Sequence, residues 1–234
     1  MTTIAVLQSN YIPWKGYFDL IHDVDVFVFY DDVQYTKNDW RNRNKIKSPT
    51  GPMWLTVPVG PSKNRLICEV ILEDSWWQKK HWKQIVQNYS KAPYFNTYRP
   101  QLEHIYLELE WSSLSELNQH LIRLVSCEHL GIEVKFRDSR DFALTGNKQT
   151  RLLDLLQQAG ADCYVSGPAA KTYIKEEEFA NEGIELIWKD YNAYPEYPQF
   201  HPPFSHGVSI LDLLFQTGPR AAEYIWGWRR TPAA

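Results

Sequence analysis

The sequence predicts an α/β fold: a mostly parallel open sheet with flanking helices and a helical insertion at about residues 74–131. Short apolar runs at residues 4–7 and 26–30 are separated by a helix-length segment, and this order implies a right-handed crossover between parallel strands. The second run is apolar at nearly every position, as in a strand that is covered on both faces. The middle stretch shows helical periodicity without strands between its helices.

The composition is typical of one globular α/β domain over residues 1–234. Cys68, Cys127 and Cys163 are scattered without a C-x-x-C motif, which indicates a reducing compartment. Neither a signal-like segment nor an apolar run of roughly 18 residues is found, so we expect a cytoplasmic protein without membrane insertion. The net charge of −3 and pI of about 6.2 give no general reason to bind nucleic acid.

The elements of the first half follow from periodicity. A polar, basic loop is predicted over residues 36–51, with strands at 53–59 and 66–72. Helices are predicted at 74–89 and 96–110, and the clearest helix spans 112–131, with Ser113 as its cap and Gly131 at its end.

The second half alternates again between strands and helices. The predicted strands are 132–137, 162–167 and 184–191, and the predicted helices are 147–160, a broken helix at 170–183, and 209–218. Residues 192–207 are rich in Pro, Tyr and His and show little periodicity. This alternation supports a parallel sheet.

Three polar loops follow predicted strands. The first spans Gln8 to Tyr17, the third spans Ser166 to Lys171, and the second contains Asp31, Asp32, Gln34, Asn42, Arg43 and Lys45. The carboxyl ends of parallel strands lie at one edge of a sheet, where α/β proteins bind ligands. The loops therefore predict one binding site, although the same residue types are also common in ordinary turns.

Individual side chains in these loops have two interpretations each. Asp32 can bind Mg²⁺, a hydroxyl or an amine, or it can solvate a strand end. Arg43 lies in a basic cluster that is either a phosphate clamp or a solvated loop. Lys171 lies where it could reach a phosphate. His81, which lies in the predicted helix at residues 74–89 and not in a loop, is either a core histidine or a general base.

No metal site is predicted. His201 and His206 lie five residues apart without a third ligand nearby, which makes a poor metal site. The sequence also lacks the Walker A, G-x-G-x-x-G and G-x-S-x-G motifs. Nucleotide or catalytic chemistry, if present, must therefore come from a less common arrangement.

Several long motifs together resemble the WbqC-like family of bacterial proteins. They are LQSNYIPWKGYFDLIHDVDVFVFYDDVQYTKNDWRNRNKIK, WLTVPV, KAPYF, YVSGPAAKTYI and SILDLLF, in order from residue 7 to about 218. Ser9 departs from the pattern, since the family more often has Pro there. The resemblance implies a role in gene clusters for O-antigen and other surface polysaccharides, including lipopolysaccharide. It also implies attachment of an acyl or aminoacyl group, such as glycine, to an amino sugar.

The resemblance also suggests which residues form the site. The motif positions are Gln8, Tyr11, Trp14, Gly16, Tyr17, Asp32, Gln34, Asn42, Arg43, His81, Ser166, Gly167 and Lys171, and Asn10 lies in the same first loop. Asp32, His81 and Lys171 are the predicted catalytic residues, and the others are predicted to bind substrate. Asp32 would orient an amine and His81 would accept its proton. Asn42 and Arg43 would bind phosphates, and the aromatic side chains would stack on a base or sugar.

Three functional hypotheses remain open. The first is an acyl- or aminoacyltransferase acting on a nucleotide-linked amino sugar, with either ATP and Mg²⁺ or an acyl-carrier thioester supplying the activated group. The second is a nucleotidylyltransferase-like enzyme, because the first β-α-β unit is similar in layout to such folds, including pantothenate synthetase. Their H-x-G-H signature is absent, since its histidine positions hold Trp14 and Tyr17. The third is a non-catalytic sugar- or nucleotide-binding module. The high aromatic content also suggests a homodimer.

Overall fold

The structure is a computed structural model, and it describes residues 1–60 and 64–230. The strands are β1 (Thr3–Leu7), β2 (Val26–Phe29), β3 (Arg43–Ser48), β4 (Gly51–Thr56), β5 (Lys135–Asp138), β6 (Cys163–Ser166) and β7 (Glu185–Trp188). The α-helices are α1 (Lys15–His22), α2 (Trp76–Tyr89), α3 (Phe95–Leu107), α4 (Leu114–Arg123), α5 (Lys148–Ala159), α6 (Glu176–Asn181) and α7 (Ile210–Thr217). Within the described ranges, none of the helices is long and apolar enough to cross a bilayer.

Five strands form a parallel sheet in the order β5-β2-β1-β6-β7. The chain runs outward from β1 through β2 to β5, and it then returns to the other side of β1 for β6 and β7. The strand order therefore reverses between β1 and β6, which is the topological switch point of a doubly wound sheet. The predicted mostly parallel sheet with flanking helices is confirmed.

Helices cover both faces of the sheet. Alternate residues of a strand point to opposite faces. On one face, Ile4 of β1 and Val28 of β2 pack in a cluster with Leu155 of α5. On the other face, Ala5 belongs to a larger core that includes Phe18 of α1. This burial on both sides explains why the strand sequences are apolar almost throughout.

Helices α2, α3 and α4 occupy the stretch that the sequence predicts to be helical. The hydroxyl of Ser113 accepts a 3.3 Å hydrogen bond from the Glu116 amide, so the predicted cap of α4 is present. The α-helix is shorter than predicted, because Leu124–His129 forms a π-helical turn in which the Leu130 amide bonds to the Val125 carbonyl.

The predicted loop at residues 36–51 is wrong in part, because it contains strand β3. This strand pairs antiparallel with β4 in a separate two-stranded sheet, so β4 does not join the parallel sheet either. Asn44 and Ile46 are buried while Arg43 and Lys45 are partly exposed. The alternation is that of a strand, but its many polar residues conceal it in the sequence.

The predicted strand at residues 66–72 is also wrong. Ile67–Glu69 forms a single 3₁₀ turn, and the flanking residues make only isolated bridges, Leu66 with Gln34 and Ile71 with Ser113. The Glu69 carboxylate accepts a 2.7 Å hydrogen bond from the Leu66 amide and thereby closes the turn. Ile67, Val70 and Leu72 are buried by neighbouring elements and not by a sheet, while Ile71 is exposed.

Candidate functional site

A crevice of about 370 Å³ opens beside the residues that follow β1. We call it the main crevice, and its walls are Asn10, Pro13, Trp14, Trp40, Asn44 and Gly207. These residues come from the β1–α1 loop, the segment before β3, β3 itself and the segment before α7. Two indole rings and two side-chain amides around one space are suited to a sugar ring or to a flat polar ring.

Hydrogen bonds connect the segments that carry these walls. The side-chain amide nitrogen of Asn44 donates to the main-chain carbonyls of Ile12 at 2.9 Å and Tyr11 at 3.2 Å. The Tyr11 amide donates to the Trp40 carbonyl at 3.0 Å. Strand β3 and the Trp40 segment are therefore held against the loop that follows β1 by hydrogen bonds to main-chain carbonyl groups.

The position of Trp14 depends on a neighbouring glycine. Its ring makes edge contacts with Tyr191 at 5.2 Å and Tyr194 at 6.0 Å between centroids. A methyl group at Gly16 would overlap the Trp14 ring, so the ring can lie against the first turn of α1 only because Gly16 has no side chain.

Arg41 links the Trp40 segment to the end of β1. Its guanidinium donates to the Gln8 side-chain oxygen and, at 2.5 Å, to the Asp39 carboxylate. Asp39 also accepts hydrogen bonds from the Thr36 hydroxyl at 2.6 Å and from the Trp40 amide at 2.7 Å. We call these contacts the Asp39–Arg41–Gln8 clasp, and they fix the loop from which Trp40 enters the main crevice.

Three buried polar atoms in this region have no hydrogen-bond partner among the described residues: Asn10 Oδ1, Arg41 Nε and Asn118 Oδ1. The Asn118 amide nitrogen donates to the Arg41 carbonyl at 2.8 Å, which places that side chain beside the clasp. Buried polar atoms are nearly always paired in folded proteins. Asn10 is a wall of the main crevice, so its oxygen, which is unpaired within the described part of the chain, is a buried acceptor next to that space.

The two acids that follow β2 are already paired with protein groups. Asp31 is fully buried, and its carboxylate accepts from the Ser9 amide at 2.8 Å and the Ser115 hydroxyl at 2.5 Å. Asp32 forms an ion pair with Arg151 of α5. Asp32 is therefore placed with Arg151 and not among the walls of the main crevice.

His81 is also fully engaged. Its Nε2 lies 3.2 Å from the Thr56 carbonyl, which only accepts, so this nitrogen carries the proton. Its Nδ1 then accepts from the Tyr11 hydroxyl at 2.8 Å, and that hydroxyl lies 2.6 Å from the hydroxyl of Tyr106. Burial lowers the pKa of His81 to about 4. The ring is therefore neutral near pH 7 and has no free lone pair for substrate.

A smaller recess of about 200 Å³ lies between β4 of the β3–β4 hairpin and helix α2. We call it the outer recess, and its walls are Trp54, Thr56, Trp76, Trp77, Lys80, His81 and Gln84. The Trp54 ring meets the Trp40 ring at 5.5 Å between centroids. Because Trp40 is a wall of the main crevice, a pair of indole rings joins the two spaces.

Three predicted binding residues lie near the crevice but not in its walls. Tyr17 is buried and donates to the Gln8 carbonyl at 3.0 Å. The side-chain amide nitrogen of Asn42 donates to the Val57 carbonyl at 2.9 Å. The Arg43 guanidinium lies 4.2 Å from the Trp54 ring centroid. Their predicted roles in binding stay predictions.

The residues predicted from the third loop and from Gln34 are more scattered. Ser166 is buried at the end of β6, and a methyl group at Gly167 would lie 3.6 Å from the Tyr191 hydroxyl. Lys171 is exposed, with Nζ 5.4 Å from the Trp188 ring centroid. Gln34 is exposed and donates to the Arg65 carbonyl at 3.2 Å. The catalytic role of Lys171 also stays a prediction.

Sequence analysis missed three walls of the main crevice, Trp40, Asn44 and Gly207, and it also missed Arg151, the partner of Asp32. A signal existed for Trp40, since a tryptophan in a polar loop is a candidate ligand contact. Arg151 lies in an ordinary amphipathic helix and Gly207 in a segment without periodicity, so nothing local marks them.

Asp19, His22 and Asp23 form a cluster whose donor atoms lie within 4.8 Å of one another. Both carboxylates already form ion pairs with Lys189 and Arg229. Because these cations neutralise the carboxylates, we assign the cluster a structural role that ties α1 to β7 and to the last described turn.

The parallel strand order and the crevice beside the end of β1 define a doubly wound α/β protein with a candidate site near its switch point. A sequence profile of the WbqC-like protein family matches residues 8–224, and the chain belongs to this family. The resemblance inferred from the motifs is thus confirmed. The chain is similar to the "Uncharacterized protein Rv1507c" of Mycobacterium tuberculosis (strain ATCC 25618 / H37Rv), with 46% identity over 228 residues. The alignment covers 96% of this chain and 98% of that relative.

Proposed function

We propose that the protein is a transferase that attaches an acyl or aminoacyl group to the amine of a nucleotide-linked amino sugar. The product would enter a bacterial surface polysaccharide such as O-antigen. The main crevice carries this proposal, because Trp14 and Trp40 with two amides enclose about 370 Å³ near the switch point. The choice of an amino sugar as substrate follows what the resemblance to the WbqC-like family implies.

The main crevice suits the sugar part of such a substrate. Indole faces pack well against the apolar C–H faces of sugar rings. The buried Asn10 oxygen, without a partner among the described residues, is an acceptor for a sugar hydroxyl or amine. The volume lies at the low end of the range for small-molecule sites, which is about 300–1,000 Å³.

Amide formation requires a base that takes a proton from the attacking amine. Asp32 and His81 are poor choices because their polar atoms are occupied by protein partners. His206 directly precedes the crevice wall Gly207, and its buried Nδ1 has no partner within the described part of the chain. Burial, followed by the charge of Lys15, lowers the pKa of His206, which favours a neutral imidazole near pH 7. We therefore assign the base role to His206.

The reaction is an acyl transfer. The amine nitrogen forms a bond to the acyl carbonyl carbon, and the bond from that carbon to its leaving group breaks. The leaving group is a carrier thiol if the donor is a thioester, or AMP if ATP and Mg²⁺ activate the acid first. His206 takes the amine proton in either case.

Binding and turnover can be tested separately. Calorimetric titration with UDP- and dTDP-linked amino sugars should give saturable binding, and Trp14→Ala should weaken it by about tenfold. Tyr173→Ala, which removes an exposed ring that is not among the crevice walls, should leave the affinity unchanged. Unchanged affinity in Trp14→Ala would contradict the assigned sugar site.

Turnover is measured by mass spectrometry of the amino sugar after incubation with acyl-carrier thioesters, or with amino acids, ATP and Mg²⁺. His206→Gln should bind the sugar nucleotide normally and acylate it at least about 100-fold more slowly, as expected for loss of a general base. Full turnover in His206→Gln would remove this residue from the mechanism, and retained turnover is expected in His104→Gln, which replaces an exposed histidine of α3.

A second candidate is a nucleotidylyltransferase-like activating enzyme, which the parallel strand order and its switch point favour. This alternative predicts release of pyrophosphate from a nucleoside triphosphate in the presence of an acid or sugar phosphate. Saturable binding with neither pyrophosphate release nor acyl transfer would instead support a non-catalytic binding module. Homodimer formation also stays a prediction, which sedimentation velocity can test.

A further inference from the structure

We propose that the outer recess binds the nucleotide end of the substrate, and that it prefers a pyrimidine nucleoside diphosphate. This inference deepens the proposed function, because the sugar of the same molecule would occupy the main crevice. It rests on four observations: two exposed indole rings, an unpartnered buried donor, three cations, and the ring pair that joins the two spaces.

The outer recess offers aromatic surface that a base can cover. Trp76 is 56% exposed and Trp54 is 39% exposed, although tryptophan is largely buried in most proteins. Both rings are walls of the recess, whose volume of about 200 Å³ is suited to one flat ring. The π-faces of bases stack on the faces of tryptophan rings.

The recess also offers hydrogen bonds to the edge of a base. Trp77 is fully buried in its wall, and the indole N–H has no partner among the described residues. An indole N–H can only donate, so a base that reaches it must present an acceptor. The Gln84 amide in the same wall can donate and accept. Uracil and thymine present two carbonyl oxygens to such donors, whereas adenine offers only ring nitrogens as acceptors.

Three cations surround the indole rings. Lys80 Nζ lies 5.5 Å from the centroid of the Trp76 ring. Arg43 and Lys45 lie 4.2 and 4.8 Å from the centroid of Trp54. The whole chain carries a net charge of −3, so this local positive charge is not a general property of its surface. This positive charge is suited to the diphosphate of a nucleotide whose base lies in the recess.

The Trp40–Trp54 ring pair connects the two spaces, so a ligand that occupies both would extend along these rings. The two rings lie 5.5 Å apart between centroids, one beside the main crevice and the other beside the outer recess. A sugar nucleotide has three parts in a row: base, diphosphate and sugar. The outer recess, the cations beside its rings and the main crevice offer one subsite for each of these parts.

The test uses UDP, dTDP and ADP without any sugar, titrated calorimetrically into the full-length protein. We expect UDP and dTDP to bind at least about tenfold more tightly than ADP. Trp76→Ala should weaken UDP binding by about tenfold or more. Lys80→Gln should weaken it and reduce its salt dependence, while Lys83→Gln, an exposed lysine on the same helix outside the recess, should change neither.

Comparison with the crevice variant separates this inference from the proposed function. Trp14→Ala should leave UDP binding unchanged and lower only the affinity for a UDP-linked amino sugar. If Trp14→Ala weakens UDP while Trp76→Ala does not, the base lies in the main crevice and this inference is overturned, but a sugar-nucleotide transferase survives. If ADP binds more tightly than UDP, the pyrimidine preference is wrong. If UDP does not bind at all, the outer recess is not a nucleotide subsite.

Discussion

The Tyr11 hydroxyl lies 2.8 Å from Nδ1 of His81, and this contact joins the loop after β1 to helix α2. The other ring nitrogen bonds to the Thr56 carbonyl of β4. One imidazole therefore connects three segments that carry walls of the main crevice and the outer recess. The contact makes His81 a core residue that fixes the relation between the two spaces.

The first prediction concerns the pH dependence of stability. The pKa of His81 is about 4 in the folded protein and about 6.5 in the unfolded chain, so only the unfolded chain binds the proton between these values. Its contribution to stability is complete above about pH 6.5 and is lost as the pH falls towards 4, by up to about 3 kcal/mol. Urea unfolding at about pH 7.5 and about pH 5 should show a smaller loss in His81→Gln than in the unmodified protein.

The matched control is His104→Gln, which replaces an exposed histidine of α3 that contacts Glu108. It should show nearly the same pH dependence as the unmodified protein. An identical loss of stability in all three proteins would mean that His81 does not titrate as its burial requires.

The second prediction concerns the Asp32–Arg151 ion pair. The side chains are only 13% and 22% exposed, and the Ser139 hydroxyl also donates to Asp32 at 2.5 Å. Asp32→Asn leaves the Arg151 charge without its counter-ion and should lower the free energy of unfolding by about 1.5–3 kcal/mol. Combining it with Arg151→Gln in a double-mutant cycle should recover part of that loss.

A surface pair serves as the comparison. Asp141→Asn removes the carboxylate that pairs with Arg137 at 3.2 Å, and both of those side chains are more exposed. It should cost less than about 1 kcal/mol. Equal costs at the two sites would show that Asp32 contributes no more than an ordinary surface charge, and would leave it available for a direct role in the reaction.

The third prediction separates binding from stability at Gly16. Alanine is favoured over glycine within a helix by about 1 kcal/mol, so Gly16→Ala should not lower the melting temperature substantially. Its methyl group would nevertheless displace the Trp14 ring from the crevice wall. The affinity for a UDP-linked amino sugar should therefore fall by about tenfold in calorimetric titration.

The double variant is the control for this mechanism. In a Trp14→Ala background the ring is already absent, so Gly16→Ala should cause no further loss of affinity. Additive losses would show that the methyl group acts on something other than Trp14.

The fourth prediction concerns the Asp39–Arg41–Gln8 clasp. Asp39→Asn removes the charge that holds Arg41, and the loop that carries Trp40 should become more mobile. We expect a severalfold lower affinity for the sugar nucleotide and a loss of about 1 kcal/mol in the free energy of unfolding. Arg41→Lys should have a similar effect, because an ammonium cannot donate in two fixed directions as a guanidinium does.

Glu103→Gln, which removes an exposed carboxylate that pairs with Arg99, is the control for the clasp variants. It should preserve the affinity. Unchanged affinity in Asp39→Asn, with the loss of stability still present, would limit the clasp to a structural role.

The parallel sheet, most helices and several helix ends were accessible from the sequence. Their signals are local: apolar runs of strand length, periodic leucines, the Ser113 cap, and Gly160 in the left-handed conformation after α5. The loop after β1 was also accessible, because Asn10 and Trp14 follow a buried strand in a parallel sheet.

The β3–β4 hairpin could not be recognised from the sequence, because its strands contain charged and polar residues. Some of these residues are buried because hydrogen bonds satisfy their polar groups and not because their side chains are apolar. Asn44 is an example, since its burial depends on carbonyl groups of Tyr11 and Ile12 far away in the chain. The apolar stretch around Ile67 was misjudged for the opposite reason. Burial there is provided by neighbouring elements and does not require a strand.

The sequence by itself thus determined the class of fold and the edge of the sheet where a site is expected, because periodicity and strand ends are local properties. Only the tertiary structure decided which side chains are free to act. Asp32 meets Arg151 from 119 residues away, and His81 meets Tyr11 from 70 residues away. Whether a polar group can bind a ligand depends on whether such distant partners already satisfy it, and close packing in three dimensions determines those partners.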